Sequence, residues 1–176
     1  MIEEPCLLDT NIVSYLLKQL SPAYPISLKY LEKHGFFTIS CLTQYECLRG
    51  YKAIGATKRL REFEEFLLIT DVIALEQRIF QIASDIYGVL KQCGKLPGEF
   101  DILIAATALS ENLTLVTNNE KHFASIQEHF PLAVGNWMNA EEKKEEAQDT
   151  PLPRQPSNIS LENSLSTKQE EEGSNC

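Results

Sequence analysis

A few polar residues in this chain stand where a packed domain has no use for them, and their types suggest chemistry. Asp9 closes the apolar run Cys6-Leu7-Leu8. Glu46 lies a short way beyond a second apolar run, Phe36 to Ser40. Asp101 opens a stretch rich in Ala and Ile, and Asn118 and Asn119 follow Leu113 to Thr117 directly. Each has an ordinary reading. Asp9 or Asn11 caps the next helix. Glu46 completes a capping box with Thr43. Asp101 favours the positive end of a helix dipole, and the two asparagines are turn residues. Held together, these readings leave several carboxylates close to one another, and clustered carboxylates repel and raise each other's pKa. Such a group asks for a cation. Oxygen ligands without Cys or His suit Mg²⁺ or Mn²⁺. An ion held this way supplies a water nucleophile and stabilises charge developing on phosphorus, which favours phosphodiester hydrolysis.

The elements that must position these residues are legible as alternating apolar runs and amphipathic stretches. Strands are expected at 5–8, 36–40, around Asp71 and at 113–117, with a short fifth at Ala133-Val134. Helices are expected over 12–17, around Leu28 and Leu31 up to Gly35, over 42–48, from Thr57 to Leu67, from about Leu75 to Gln92 and over 100–109. Gly50 and Gly55 bracket a looser segment. Such alternation predicts an α/β fold, a short central parallel sheet of four to five strands flanked by helices in three layers. In a parallel sheet the residues after strands one, two and four share one edge. A helix running back to the opposite edge starts there too, so Asp9, Glu46, Asp101 and the Asn118-Asn119 pair converge.

Four short motifs in order then carry a resemblance: Asp9-Thr10-Asn11 after a strand; Glu46 within Ser40-Cys41-Leu42-Thr43-Gln44-Tyr45-Glu46; Asp101 opening Asp101-Ile102-Leu103-Ile104-Ala105-Ala106; and Thr117-Asn118-Asn119 with His122-Phe123 following. Over roughly residues 5–137 the chain resembles the PIN domain, and within it the VapC-type toxin ribonucleases. The resemblance implies a Mg²⁺- or Mn²⁺-dependent endoribonuclease, the toxin of a type II toxin–antitoxin pair, with a cytoplasmic antitoxin partner. It matches Asp9, Glu46 and Asp101 to the acidic metal site and Asn119 to a fourth catalytic position that is Asp or Asn among members. Thr10, Asn11, Thr117 and Asn118 fall at supporting positions. His122 stands where many members carry Asp or Glu.

Composition narrows the alternatives. The chain has 176 residues and a formal net charge of −9, and residues 141–176 hold nine acidic and four basic side chains. Residues 1–140 are therefore expected to form one mildly acidic nuclease domain, and 141–176, rich in Glu, Gln, Ser, Pro and Asn, a disordered tail. An acidic balance argues against passive binding to nucleic acid. One basic run, with Arg49, Lys52 and Arg59, lies beside Glu46; it is either an RNA-phosphate track or a solvated helical face. Tyr45 and Tyr51 flank Glu46; they either stack on a base or pack in a core or a homodimer surface. His34, His122 and His129 show no metal-ligand spacing and read as structural or surface residues. Five cysteines without C-x-x-C spacing, Cys6 and Cys41 expected to be buried, argue against a disulfide framework or a zinc site. With neither a signal peptide nor a membrane-spanning run in view, the expected compartment is the cytoplasm, with no membrane partner. Two other functions remain open on sequence: a catalytically silent binding module of the same fold, and a phosphatase using Asp9 as nucleophile. The phosphatase reading lacks an acid at position 11 and has Lys121 alone as a late phosphate-binding lysine.

Overall fold

The structure, a computed structural model, describes residues 4–139. The proposed tail at 141–176 lies outside the described residues. Five parallel strands, β1 (Cys6–Leu8), β2 (Phe37–Ser40), β3 (Thr70–Ile73), β4 (Thr114–Val116) and β5 (Val134–Gly135), pair in the order β3-β2-β1-β4-β5. Seven helices accompany them in this part of the chain: α1 (Thr10–Leu17), α2 (Ala23–His34), α3 (Cys41–Ala53), α4 (Thr57–Leu67), α5 (Gln77–Gln92), α6 (Glu99–Glu111) and α7 (Glu120–Gln127). β1 is central. It pairs with β2 on one side and β4 on the other, with Leu8 opposite Ile39 and Val116. That is the α/β fold the alternation predicts.

β1 and β2 are buried on both faces while edge strand β3 leaves Asp71 exposed, and strand pleating divides the core in two. Cys6, Leu8, Ile39 and Val116 pack with residues of α1 to α4 and Trp137, whereas Leu7 and Leu115 pack with residues of α5, α6 and α7. Continuous apolar strands are what a doubly covered parallel sheet requires. α6 buries Ile102, Ile104, Ala105, Ala106, Thr107, Ala108 and Ser110, consistent with a helix apolar nearly all round. It ends at Asn112 in the left-handed region, φ 53°, and α2 ends likewise at Gly35, φ 81°.

Four local features depart from expectation. α3 begins at Cys41, because Ser40 is its N-cap, accepting from the Thr43 amide at 3.0 Å. Thr43 is therefore inside the helix, and the Thr43–Glu46 capping box does not exist. The same helix runs on through Gly50 to Ala53, where Tyr51 packs its ring 6.0 Å from that of buried Phe63; tertiary packing outweighs the glycine. α7 is a helix that periodicity does not announce, since Phe123 and Ile126 alone are buried in it. Cys41 is half-buried rather than buried, while Cys6 and Cys47 are buried thiols. Among the described residues no helix is long and apolar enough to cross a membrane.

Candidate metal centre and its rim

Strand order reverses about β1, and in open α/β sheets the crevice at such a switch point, outside the carboxyl ends of the strands, is where ligands bind. Asp9 sits there, 8% exposed. Its amide donates to the Val116 carbonyl at 3.0 Å, continuing the pairing of β1 with β4 by one residue. Its carboxylate accepts three hydrogen bonds from neutral donors. The Thr10 amide donates to Oδ1 at 2.7 Å, and Asn11 Nδ2 and Thr117 Oγ1 donate to Oδ2 at 2.6 and 2.7 Å. Asp9 is thus the N-cap of α1 as well as a site candidate.

Thr117 and Asn11 knit the supporting frame. Thr117 Oγ1 accepts from Asn11 Nδ2 at 3.1 Å and from the Asn119 amide at 2.9 Å. Asn11 Oδ1 accepts from the Asn118 amide at 2.9 Å. Asn118 Nδ2 donates to Tyr15 Oη at 3.1 Å, and its Oδ1 accepts from Asn136 Nδ2 at 3.2 Å. Asn136, buried and also donating to Glu120 Oε1 at 2.7 Å, belongs to this frame. Sequence reasoning passed over Asn136 as a site residue; its one signal was the polar side chain beside Trp137. Asn119 occupies the N-cap position of α7 without a side-chain capping bond.

Glu46 and Asp101 form the outer part. Glu46 faces inward from the middle of α3, its Oε2 accepting from Thr10 Oγ1 at 2.6 Å and its Oε1 3.8 Å from Arg49 Nη2. Asp101 lies in the first turn of α6. Its Oδ2 is 3.1 Å from His122 Nδ1, and a Cβ placed on Gly98 would stand 3.1 Å from that same oxygen. The bare N-cap glycine leaves the carboxylate its room. His122, its side chain 54% exposed, is a surface residue as expected, and its place beside Asp101 puts it at the rim of the site.

Electrostatics tie the three acids together. Burial pushes the Asp9 carboxyl above its ordinary range, hydrogen bonds from Thr117 and the Thr10 amide pull it down, and the charges of Glu46 and Asp101 push it up again. Among the described residues no three His, Cys, Asp or Glu side chains are gathered as a closed ligand set. Glu46 is drawn toward Thr10 and Arg49, and Asp101 toward His122. The donor chemistry fits a hard divalent cation: oxygen ligands alone, mutually repelling, the innermost desolvated and bonded to neutral donors.

The basic run divides. Arg59 Nη1 donates to the Leu17 carbonyl at 2.9 Å and to Glu62 Oε2 at 2.7 Å, fastening α4 to the end of α1. Arg49 and Lys52 are exposed on α3, the helix that carries Glu46. Of the two flanking tyrosines, Tyr51 packs against the core and Tyr45 is half exposed.

The family model described as PIN domain matches residues 6–128. Ribonuclease VapC2 of Rickettsia felis is 31% identical over 132 residues, spanning 74% of this chain and 96% of that protein. The tRNA(fMet)-specific endonuclease VapC of Shigella flexneri is 30% identical over 121 residues, covering 68% of this chain and 90% of that protein. Among solved structures, VapBC2 from Rickettsia felis bound to a DNA fragment from its promoter contains a chain that superposes with a TM-score of 0.66 at 29% identity. That match covers 74% of this chain and 97% of the other.

Proposed function

We propose, from the premise that this chain belongs to the PIN domain family, that it is a Mg²⁺- or Mn²⁺-dependent endoribonuclease and the toxin of a toxin–antitoxin pair. The observation that carries the metal-dependent reading is Asp9. It is a carboxylate at the sheet's switch point, hydrogen-bonded to neutral groups and pushed above its ordinary range by burial first and by the charges of Glu46 and Asp101 after it. Asp9, Glu46 and Asp101 would hold the ion. When bound, it supplies an acidified water and charge stabilisation at phosphorus.

The chain's own groups have separable tasks. Thr117, Asn11 and the Thr10 amide fix both oxygens of Asp9, so the inner ligand is oriented before substrate arrives. Thr10 links that ligand to Glu46 through its hydroxyl. Asn119 takes the fourth catalytic position, beside the Thr117 hydroxyl that its amide binds. Arg49 and Lys52 meet RNA phosphates on the approach to the acids, and the contacts of Arg59 give it a tethering role instead. The partner is an antitoxin protein, as the VapBC assemblies among related structures suggest. The compartment is the cytoplasm, in keeping with the free thiols of Cys6, Cys41, Cys47 and Cys93. A phosphatase nucleophile at Asp9 is disfavoured, because three hydrogen bonds and burial engage the carboxylate that would attack.

Asp101→Asn tests the reading. It keeps size and hydrogen bonding and removes one charge. Mn²⁺-dependent cleavage of RNA should be lost, and thermal stabilisation by added Mn²⁺ should shrink, since an ion bound to the folded state raises apparent stability. The metal-free protein should melt no lower than the parent, because repulsion is relieved. Retained Mn²⁺-dependent cleavage would sink the proposal.

A further inference from the structure

We infer that Tyr45 and Phe100, with Arg49 across them, form a platform on which a base of single-stranded RNA stacks next to the scissile phosphate; the inference rests on the ribonuclease reading above. Three observations carry it. First, the two rings meet from different helices, α3 and α6, edge to face with centroids 6.1 Å apart. Second, the Arg49 guanidinium carbon lies 5.2 Å from the Tyr45 ring centre and 5.8 Å from that of Phe100, so one cation covers both. Third, each ring belongs to the residue immediately before a proposed metal ligand, Tyr45 before Glu46 and Phe100 before Asp101.

The cluster is not simply a piece of core. Tyr45 is 50% exposed, and the Arg49 side chain is 55% exposed. The guanidinium is ion-paired with Glu46 at 3.8 Å, beyond hydrogen-bond distance. By contrast Tyr51, the other tyrosine on α3, is packed against Phe63 and belongs to the core around Phe37 and Trp137. An aromatic face, a flanking arginine and an exposed lysine on the same helix, Lys52, are the ingredients of sequence-tolerant single-strand binding. The position adds register. Arg49, which lies over both rings, is also 3.8 Å from Glu46 and so ties the rings to that acid. Stacking there would set which phosphodiester reaches Asp9, Glu46 and Asp101.

Two measurements on the full chain test this. The first is Tyr45→Trp combined with Asp101→Asn, so that RNA is bound without being cut. Trp137 is fully buried, so the introduced indole reports on the rim. A short single-stranded RNA should quench and shift its emission, and inorganic polyphosphate, which has charge but no bases, should not. The second is steady-state cleavage. Tyr45→Leu and Phe100→Leu should each raise KM about tenfold with kcat within about twofold, and Tyr45→Trp should restore the parent KM. Equal quenching by polyphosphate, or no quenching together with an unchanged KM, would overturn the platform. So would a Tyr45→Leu change that leaves KM alone but shifts the oligomeric state in solution, which would assign the rings to a protein contact. If the parent chain does not cut RNA at all, the ribonuclease reading fails, and the quenching still decides the platform by itself.

Discussion

Asp9 and Glu46 are joined through a single residue, Thr10, yet their surroundings differ. The inner carboxylate is 8% exposed and accepts three hydrogen bonds from neutral donors of α1 and the β4–α7 connection. The outer carboxylates are more open, and each has a cationic or titratable neighbour, Arg49 beside Glu46 and His122 beside Asp101. The difference teaches a division of labour. If these acids hold an ion as proposed, the one fixed by a hydrogen-bonded frame would provide orientation at low cost to binding, while Glu46 and Asp101, with side chains 23% and 26% exposed, would leave room for an ion and a phosphate to enter. The inner half is where a mutation should disturb the fold, and the outer half where it should disturb substrate handling with the fold intact.

Thr117→Val attacks the inner half and should have the largest effect on the protein as a whole. The buried hydroxyl donates to Asp9 and accepts from Asn11 and the Asn119 amide, so its loss removes three hydrogen bonds of the frame and strips the part-buried Asn119 amide of its acceptor, at about 2 kcal/mol. At roughly 3 °C per kcal/mol for a chain of this size, the metal-free melting temperature should fall by about 6 °C. Cleavage should drop on the order of 10- to 100-fold, as for other residues that orient a ligand. A variant melting within a degree of the parent would show that the inner frame is not preorganised by Thr117.

Thr10→Val tests the link between the halves. The amide bond to Asp9 survives, and the hydroxyl bond to Glu46 does not. Melting should fall by about 3 °C, for roughly 1 kcal/mol, while cleavage falls about tenfold. If the thermal loss matched that of Thr117→Val, the two halves would be one rigid unit and the contrast would collapse.

The smallest effects separate two basic residues that sequence places together. Lys52→Gln should leave melting unchanged and flatten the plot of log RNA affinity against log salt by about 0.7, one phosphate contact on a single strand. Arg59→Gln should do the reverse, lowering melting by a few degrees through loss of its bonds to the Leu17 carbonyl and Glu62, with the salt slope unaltered. A slope change for Arg59→Gln equal to that for Lys52→Gln would return Arg59 to the RNA track.

Hydrophobic patterning alone determined the alternating α/β order, the buried β1 run, the amphipathic α5 and the enveloped α6, because burial on two faces or one stripe leaves its period in the sequence. It also placed Asp9, Asn118 and Asn119 at strand ends and Asp101 at a helix start, since strand and helix limits are local signals. What it could not supply is which of two nearby hydroxyls caps α3. Ser40 and Thr43 are both competent, and the end of β2 selects Ser40. Nor could it announce α7, whose two buried residues, Phe123 and Ile126, find a core only when the sheet is assembled. The basic run is the clearest case. Arg49, Lys52 and Arg59 look alike in sequence, and their fates diverge with the partners folding brings: two aromatic rings for Arg49 and the end of α1 for Arg59. Charge is a property of the side chain, but its use is set by contacts between residues far apart in the chain, and those are decided by tertiary structure.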